Sequence, residues 1–273
     1  MKPANPQGAA GGQETAMRTY DLAIRPDDRS RELAERLNGE LTARGWARRA
    51  DRPEILIVLG GDGTFIRSVH QHLEHLADTA VCGLHSGTLG FLLDYPSDEL
   101  DALVADLCEN RLREVSLPLL EAVTEQWSVS ALNEIRIENP LRTQQLTLRM
   151  NGEWFEDFRG TGVCICTQTG STALNRSLGG AVVQSGLAAL QLTEIAGIHH
   201  SAYRSLGAPF VFAEDTEVTL EAGDFSGALL GADDAVKPLD GLKRVLVRKD
   251  PARRIRLLRR PGASDYQRLT RLL

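Results

Sequence analysis

The sequence predicts a two-part fold, an α/β domain followed by a β-rich domain. Residues 19 to 115 alternate apolar strand patterns with amphipathic helix patterns, which is typical of a mostly parallel sheet with helices on both faces. From residue 116 the pattern changes to short alternating runs, which favour antiparallel strands. We therefore place the α/β domain at 19–115 and the β-rich domain at 116–248.

Apolar runs and turn residues delimit the elements of the α/β domain. Gly45 predicts a helix stop, and Ser97 or Asp98 predicts a helix N-cap. The predicted strands are 20–24, 54–59 and 80–84, and the predicted helices are 28–45, 65–76 and 97–110.

The β-rich domain contains strong turn signals between its strands. Asn151-Gly152 fits a type I′ hairpin turn, and Asp240-Gly241 predicts a second hairpin. One helical segment is expected at 186–195. The predicted strands are 119–123, 128–137, 145–150, 153–158, 162–167, 210–212, 217–220 and 244–248.

The two ends of the chain differ in character from the domains. Residues 1–18 are rich in Gly, Ala, Pro and Gln and lack the apolar h-region of a signal peptide. They therefore indicate a flexible tail rather than a signal peptide. Residues 249–273 are basic, and we expect them to pack back on the N-terminal domain. In that segment we favour Ile255, Leu257 and Leu258 packed inward with the arginines in solvent over an anion-binding or partner surface.

Charge and hydropathy exclude some classes of partner. The net charge of -6 argues against general nucleic-acid binding. No apolar run has the length of a membrane span, so no membrane partner is expected. The 4 cysteines lie in apolar or strand patterns, which favours buried reduced thiols and a cytoplasmic protein.

The turn Gly60-Gly61-Asp62-Gly63-Thr64 follows an apolar strand and precedes a helix. Free backbone N–H groups at such a turn bind phosphate, and an acid in its middle needs a separate reason. Asp62 would hold a metal that phosphates share, take a proton from a hydroxyl, or only cap the helix. The turn is not a P-loop, because no Gly-Lys-Ser/Thr follows, nor the dinucleotide fingerprint, because Ile66 replaces the third glycine.

Three further segments carry polar groups in suggestive patterns. Asn133-Glu134 suits ribose hydroxyls or a metal, with a solvated strand edge as the alternative. The hydroxyl-rich segment 167–175 suits a polar ligand, with an ordinary Ser/Thr turn as the alternative. For the histidines of one helix we favour a solvated face over a metal site and assign no metal ligands; they are His70, His72 and His75.

In this order, the motifs resemble those of the NAD kinase family. Residues 60–64 resemble its first motif, which diacylglycerol kinases, sphingosine kinases and 6-phosphofructokinases share. Asn133-Glu134 resembles the second motif and 169–173 the third, with 178–180 as its glycine-rich continuation. Residues 192–196 resemble the stretch that lines the site of a neighbouring subunit.

The resemblance implies a fold and a reaction. The fold is a Rossmann-like α/β N-terminal domain and a β-rich C-terminal domain, with the dinucleotide in the cleft between them. The reaction is transfer of the ATP γ-phosphoryl group to the adenosine ribose 2′-hydroxyl of NAD, giving NADP, with Mg²⁺ or another divalent cation. A homodimer or homotetramer is expected.

The resemblance also implies roles for individual residues. Asp62 matches the general base, and Phe91 an apolar wall beside the adenine. The expected contacts to phosphates, ribose, adenine and nicotinamide are Gly61, Gly63, Thr64, Asn133, Glu134, Arg159, Thr161, Thr172, Ala173, Leu174, Asn175, Ser177, Ala196, and Asp233 or Asp234.

The chain departs from the family pattern at three positions. Thr161 stands where the family has an aspartate, Gln168 where it has a proline, and Leu174 where it has a tyrosine. All three bear on dinucleotide recognition rather than on phosphoryl transfer. They therefore keep a catalytically weak NAD(P)-binding sensor as an alternative function. The first motif, which lipid kinases share, keeps a lipid kinase of the same superfamily as another.

Overall fold

The computed structural model describes residues 18–87, 90–199 and 205–270, so all but the last residue of the predicted tail lies outside the described residues. The strands are, in chain order, β1 (Thr19–Ile24), β2 (Ala47–Arg48), β3 (Ile55–Gly60), β4 (Ala80–His85), β5 (Tyr95–Pro96), β6 (Arg113–Val123), β7 (Ser128–Ala131), β8 (Glu134–Glu138), β9 (Gln144–Met150), β10 (Glu153–Gly160), β11 (Gly162–Thr167), β12 (Ala189–Ile195), β13 (Phe210–Ala213), β14 (Val218–Glu221), β15 (Leu229–Ala232), β16 (Ala235–Pro238) and β17 (Arg244–Arg259). The α-helices are α1 (Asp28–Ala43), α2 (Asp62–Gln71), α3 (Leu100–Cys108), α4 (Leu174–Ser177) and α5 (Asp265–Thr270).

The N-terminal half is the predicted α/β domain. Strands β2, β1, β3 and β4 are adjacent and parallel. Residues of β3 alternate between two cores: Ile57 packs with α1 and α3 on one face, and Val58 packs with α2 on the other. This arrangement explains why β3 reads as a continuous apolar run, since both faces of a parallel strand are covered by helices.

The C-terminal half is β-rich, as predicted. Strands β13, β12, β11, β8, β15 and β16 form an antiparallel sheet in that order. It packs on β9, β14 and the first part of β17, and buried residues such as Ile165 and Val245 share one core. The Asn151-Gly152 hairpin is confirmed, because β9 pairs with β10 and the two turn residues have φ of 49° and 83°.

Strand β17 connects the two halves of the molecule. Its first part pairs with β14, with Val247 opposite Val218, and its last part runs parallel to β4, with Arg256 opposite Ala80. Strand β6 pairs with β17 along both parts, with an irregularity between Lys249 and Arg254. The C-terminal residues therefore end beside the strands of the α/β half.

Two predictions for the β-rich half are wrong. The expected helix at 186–195 is strand β12, which lies between β11 and β13 and is buried on both faces over 190–193. Burial on both faces removes the polar alternation that marks a strand. The turn at Asp240-Gly241 is not a hairpin, because β16 pairs with β15 while β17 lies in the other sheet.

One smaller correction concerns side-chain exposure. Cys108, expected to be buried, is exposed at the last residue of α3, whereas Cys82, Cys164 and Cys166 are buried.

Among the described residues, no helix has both the length and the apolar character needed to span a bilayer.

Candidate active site

Asp62 is the first residue of α2, at the carboxyl end of strand β3. Gly61 is the N-cap, so the interpretation of Asp62 as a cap is wrong, and the helix begins three residues before the predicted Phe65. A Cβ atom on Gly60 would lie 2.4 Å from the Thr64 hydroxyl, so the turn requires glycine there. An acid in the first turn of a helix is favoured by the helix dipole.

The Asp62 carboxylate is held by a loop that follows the neighbouring strand β4. Its Oδ2 accepts a hydrogen bond from the Phe91 N–H at 2.8 Å, and its Oδ1 accepts one from the Leu92 N–H at 3.1 Å. A Cβ atom on Gly90 would lie 2.2 Å from Asp62 Oδ1. The loop therefore fixes the orientation of the carboxylate, and only glycine at position 90 lets it approach this closely.

Helix α2 also contacts Asp233, the residue that holds the second motif. His70 Nε2 lies 2.8 Å from Asp233 Oδ2, and the His70 side chain is only 20% exposed. The expectation of a solvated histidine face is therefore wrong for His70. His72 hydrogen-bonds the Ser68 carbonyl of its own helix instead, and α2 ends at Gln71 rather than near residue 76.

Asp233 organises the backbone of the second motif. Its carboxylate accepts hydrogen bonds from the N–H groups of Leu132, Asn133 and Glu134, at 2.7, 2.8 and 3.3 Å. Asp233 has a φ of 52°, and its side chain is 1% exposed, whereas Asp234 is exposed. The two aspartates that the sequence left as alternatives therefore lie in different environments.

The third motif packs directly on the second. The Thr167 hydroxyl donates to the Leu132 carbonyl at 2.7 Å, and a Cβ atom on Gly170 would lie 2.0 Å from the Asn133 carbonyl oxygen. Gly170 is thus required by this close backbone approach. Thr172 lies two residues further along, at the end of the same short 3₁₀ turn.

Two oxygens of the second motif are buried without a hydrogen-bond partner, Asn133 Oδ1 and Glu134 Oε2. Burial, and secondarily the charge of Asp233, raise the pKa of the Glu134 carboxyl to about 7, against the opposing effect of Arg136. Buried polar atoms are nearly always paired, so unpaired ones point to a missing partner. Both oxygens can accept a hydrogen bond from a ligand hydroxyl.

A cleft with about 470 Å³ of space, open to solvent, lies between the loop at 90–92, the third motif and the C-terminal segment. Phe91 and Thr172 line it together with Gln168, Arg259 and Arg268, and the contact of Phe91 and Thr172 with a dinucleotide stays a prediction. Gln168, which replaces the family proline, accepts a hydrogen bond from the Gly186 N–H. Its side chain therefore anchors the segment after the third motif.

The other predicted residues of the third motif differ in exposure. Ala173 and Leu174 are half-buried, and Ser177 is exposed. The Asn175 side chain is fully buried, and its Oδ1 accepts a hydrogen bond from the Thr193 hydroxyl at 2.7 Å. Its contact with a ligand stays a prediction; here Asn175 ties the motif to β12. In the first motif Gly61 is half-buried, Gly63 is exposed and Thr64 is buried.

A second group of predicted residues lies at the opposite end of β11. The Thr161 N–H donates to the Ile195 carbonyl, and a Cβ atom on Gly160 would lie 2.7 Å from the Ala196 carbonyl oxygen. Arg159 precedes this contact, and Ala196 is exposed with a φ of 47°. The length of β11 separates this group from the third motif by about 20 Å.

Sequence reasoning missed part of the site. The loop at 90–92 follows β4, the neighbour of β3, and both strands are followed by glycine-rich turns. Carboxyl ends of adjacent parallel strands lie at one edge of a sheet, so this pairing of turns was the available signal.

Arg259 and Arg268, expected in solvent, are 7% and 8% exposed. Within the described ranges, no cluster of three or more His, Cys, Asp or Glu side chains could hold a metal ion.

Comparisons with known proteins show relatives of the chain. The family model described as the ATP-NAD kinase C-terminal domain matches residues 132–249. An NAD kinase of Shouchella clausii is 38% identical over 202 residues, which are 71% of this chain and 76% of that protein. NAD kinase 1 of Oceanobacillus iheyensis is 31% identical over 236 residues, which are 84% of this chain and 88% of that protein.

Solved structures share the fold. A yeast NADH kinase, solved with NADH, has a TM-score of 0.81 at 19% identity and covers 93% of this chain and 86% of its own. An NAD kinase from Archaeoglobus fulgidus, solved with ATP, has a TM-score of 0.74 at 21% identity, with 93% and 97% coverage. On the sequence relatives, the shared fold and the linked motifs, the chain belongs to the NAD kinase family.

Proposed function

We propose that this chain transfers the γ-phosphoryl group of ATP to the adenosine ribose 2′-hydroxyl of NAD, giving NADP and ADP. The observation that carries the proposal is the fixed Asp62 carboxylate, which is held by two N–H donors at the end of β3. The His70–Asp233 contact links its helix to the Asn-Glu motif. A carboxylate fixed in this way can accept the proton of an attacking hydroxyl.

In the proposed step, Asp62 accepts the proton of the 2′-hydroxyl as the oxygen attacks the γ-phosphorus. A new P–O bond forms to the ribose, the bond between the γ-phosphorus and the β,γ-bridging oxygen breaks, and ADP leaves with the electron pair. Positioning and charge neutralisation supply most of the acceleration in phosphoryl transfer. The unpaired oxygens of Asn133 and Glu134 would hold ribose hydroxyls in this arrangement.

A divalent cation would accompany ATP. Mg²⁺ prefers oxygen ligands and is commonly held by nucleotide phosphates with one or two protein oxygens. Glu134 Oε2 is a donor of that kind, and Asn133 Oδ1 would then hold the ribose hydroxyl. The cation would neutralise charge that develops on the phosphate oxygens, while Asp62 orients the hydroxyl.

We also propose a homodimer or homotetramer in which each site is completed by a neighbouring subunit. Arg159, Thr161 and Ala196 lie about 20 Å from the third motif of the same chain, along β11. One bound dinucleotide could reach both groups if the second came from another copy.

The buried thiols of Cys82, Cys164 and Cys166 suit a reducing compartment, and we place the protein in the cytoplasm.

The decisive experiment is an NADP assay with the purified protein, NAD, ATP and Mg²⁺, coupled to an NADP-specific dehydrogenase. Asp62→Asn should reduce turnover by about 10²- to 10⁴-fold, as removal of a general base does. Asp98→Asn changes an exposed acid of the same domain and should retain full turnover. NADP binding without NADP production by the wild type would contradict the proposal, and so would an active Asp62→Asn protein.

A further inference from the structure

The C-terminal strand contacts the far side of the loop that holds Asp62. Arg259 Nη1 donates to the Phe91 carbonyl at 2.9 Å and also lies 3.4 Å from the Leu92 carbonyl oxygen. The Leu92 N–H, which belongs to the same peptide unit as the Phe91 carbonyl, donates to Asp62. One peptide unit is therefore hydrogen-bonded to Asp62 on one side and to Arg259 on the other.

Arg259 is itself fixed by a buried ion-pair cluster. Asp94 Oδ1 lies 3.0 Å from Arg259 Nη1 and 2.7 Å from Arg268 Nη1, and Asp94 Oδ2 accepts the Arg260 N–H at 3.0 Å. Arg268 also pairs with Asp265. Asp94 is 4% exposed, so the cluster is shielded from water and its geometry is restrained.

The cluster does more than anchor the C-terminal helix α5. Besides pairing with Asp94, the Arg259 guanidinium donates to the two loop carbonyls through the same Nη1. A cation at a carbonyl polarises the peptide and strengthens the N–H donor on its other side. The contact thus bears on the loop backbone that orients Asp62.

We propose that Arg259, held by Asp94 and Arg268, is a positioning residue for Asp62 and acts through the Phe91–Leu92 peptide unit. The inference rests on the proposed function, because it assigns Asp62 the role of the base. It gives the C-terminal segment a part in the reaction although none of its residues needs to touch the transferred phosphoryl group.

The test compares Arg259→Met and Arg259→Lys with Arg256→Met as the matched control. Arg256 lies on the same strand and pairs with Glu114, but its side chain is 40% exposed and the pair faces solvent. Four quantities are measured for each protein: kcat, KM for NAD and ATP, the urea midpoint, and amide hydrogen exchange at Phe91 and Leu92.

We expect Arg259→Met to lower kcat by about 10- to 100-fold, the effect of misplacing a catalytic group by about 1 Å. KM should change less than kcat does: Arg259 also lines the cleft, but its loop contact acts on the orientation of Asp62 rather than on substrate binding. Exchange at Phe91 and Leu92 should accelerate while exchange at Ile57 in β3 does not. Arg259→Lys should recover part of kcat, and Arg256→Met should match the wild type in all four quantities.

Two results would overturn the inference. One is an unchanged kcat in Arg259→Met. The other is faster exchange throughout β3 with a parallel fall in the urea midpoint, which would make Arg259 a structural anchor only. If Arg259→Met does not fold, the Arg259→Lys protein carries the same comparison. A wild type that forms no NADP would refute the proposed function instead, and the exchange rates would then decide the loop contact separately.

Discussion

His70 Nε2 lies 2.8 Å from Asp233 Oδ2, although the two residues are 163 positions apart in the chain. His70 belongs to the helix that begins with Asp62, and Asp233 holds the backbone of Asn133 and Glu134. The contact thus links the first motif to the second through helix α2 and Asp233. It suggests a way to test whether the motifs are coupled.

We expect a double-mutant cycle of His70→Ala and Asp233→Asn to give a coupling free energy of about 1 to 3 kcal/mol, the range for hydrogen bonds to charged groups. Urea unfolding of the four proteins measures it. His72→Ala, which removes a ring that bonds only the Ser68 carbonyl, should show no coupling to Asp233→Asn. Additive effects of His70→Ala and Asp233→Asn would refute the link.

Gly90→Ala should inactivate the protein with little loss of stability. The new Cβ would lie 2.2 Å from Asp62 Oδ1, so the carboxylate or the loop must move. A displaced base costs about 10²-fold in kcat. In the same turn, a Cβ on Gly87 would meet only the end of the Arg25 side chain at 3.4 Å, so Gly87→Ala should retain turnover. Equal kcat values for the two variants would argue against the contact.

Glu134 predicts a pH dependence of stability. The pKa of its carboxyl is raised from 4.5 to about 7 in the folded protein, chiefly by burial. The folded state therefore favours the protonated form, so the stability contributed by Glu134 is full below pH 4.5 and is lost as the pH rises through 7. Glu134→Gln, which stays neutral, should be the more stable protein at pH 8, by up to about 3 kcal/mol.

The measurement is the free energy of unfolding of wild type and Glu134→Gln at pH 5 and at pH 8. The difference between the two proteins should grow with pH. Glu125→Gln, at an exposed position, should show the same small difference at both pH values. A Glu134→Gln difference that is independent of pH would mean that the carboxyl is charged throughout.

A site shared between subunits predicts complementation. Asp62→Asn and Ala196→Arg should each abolish turnover alone, because one removes the base and the other obstructs the second group. In a two-fold dimer, mixed subunits leave one intact site, so random mixing should restore about a quarter of wild-type turnover. Co-expression with two affinity tags supplies the mixed dimers. Isolated mixed dimers without turnover would contradict a shared site.

The sequence alone determined the fold class, the order of the motifs and the turn residues. Alternation of strand and helix patterns predicted the α/β half, and Asn151-Gly152 predicted the β9–β10 hairpin, because these signals depend on neighbouring residues. The acid in the glycine turn at 60–64 identified Asp62 as a candidate catalytic residue, again because the signal lies in neighbouring residues. The helix expected at 186–195 failed because burial on both faces erased the strand period.

Only the tertiary structure decided which distant groups meet. It placed His70 against Asp233, put the loop of Phe91 and Leu92 on Asp62, and buried Arg259 beside Asp94 where the sequence predicted solvent. A basic residue near the chain end is most often solvated, and its pattern does not reveal a partner 165 positions away. The pairing of β17 with β4 brings these groups together. Local sequence limits the conformations available to a segment, but contacts between segments depend on the path of the whole chain.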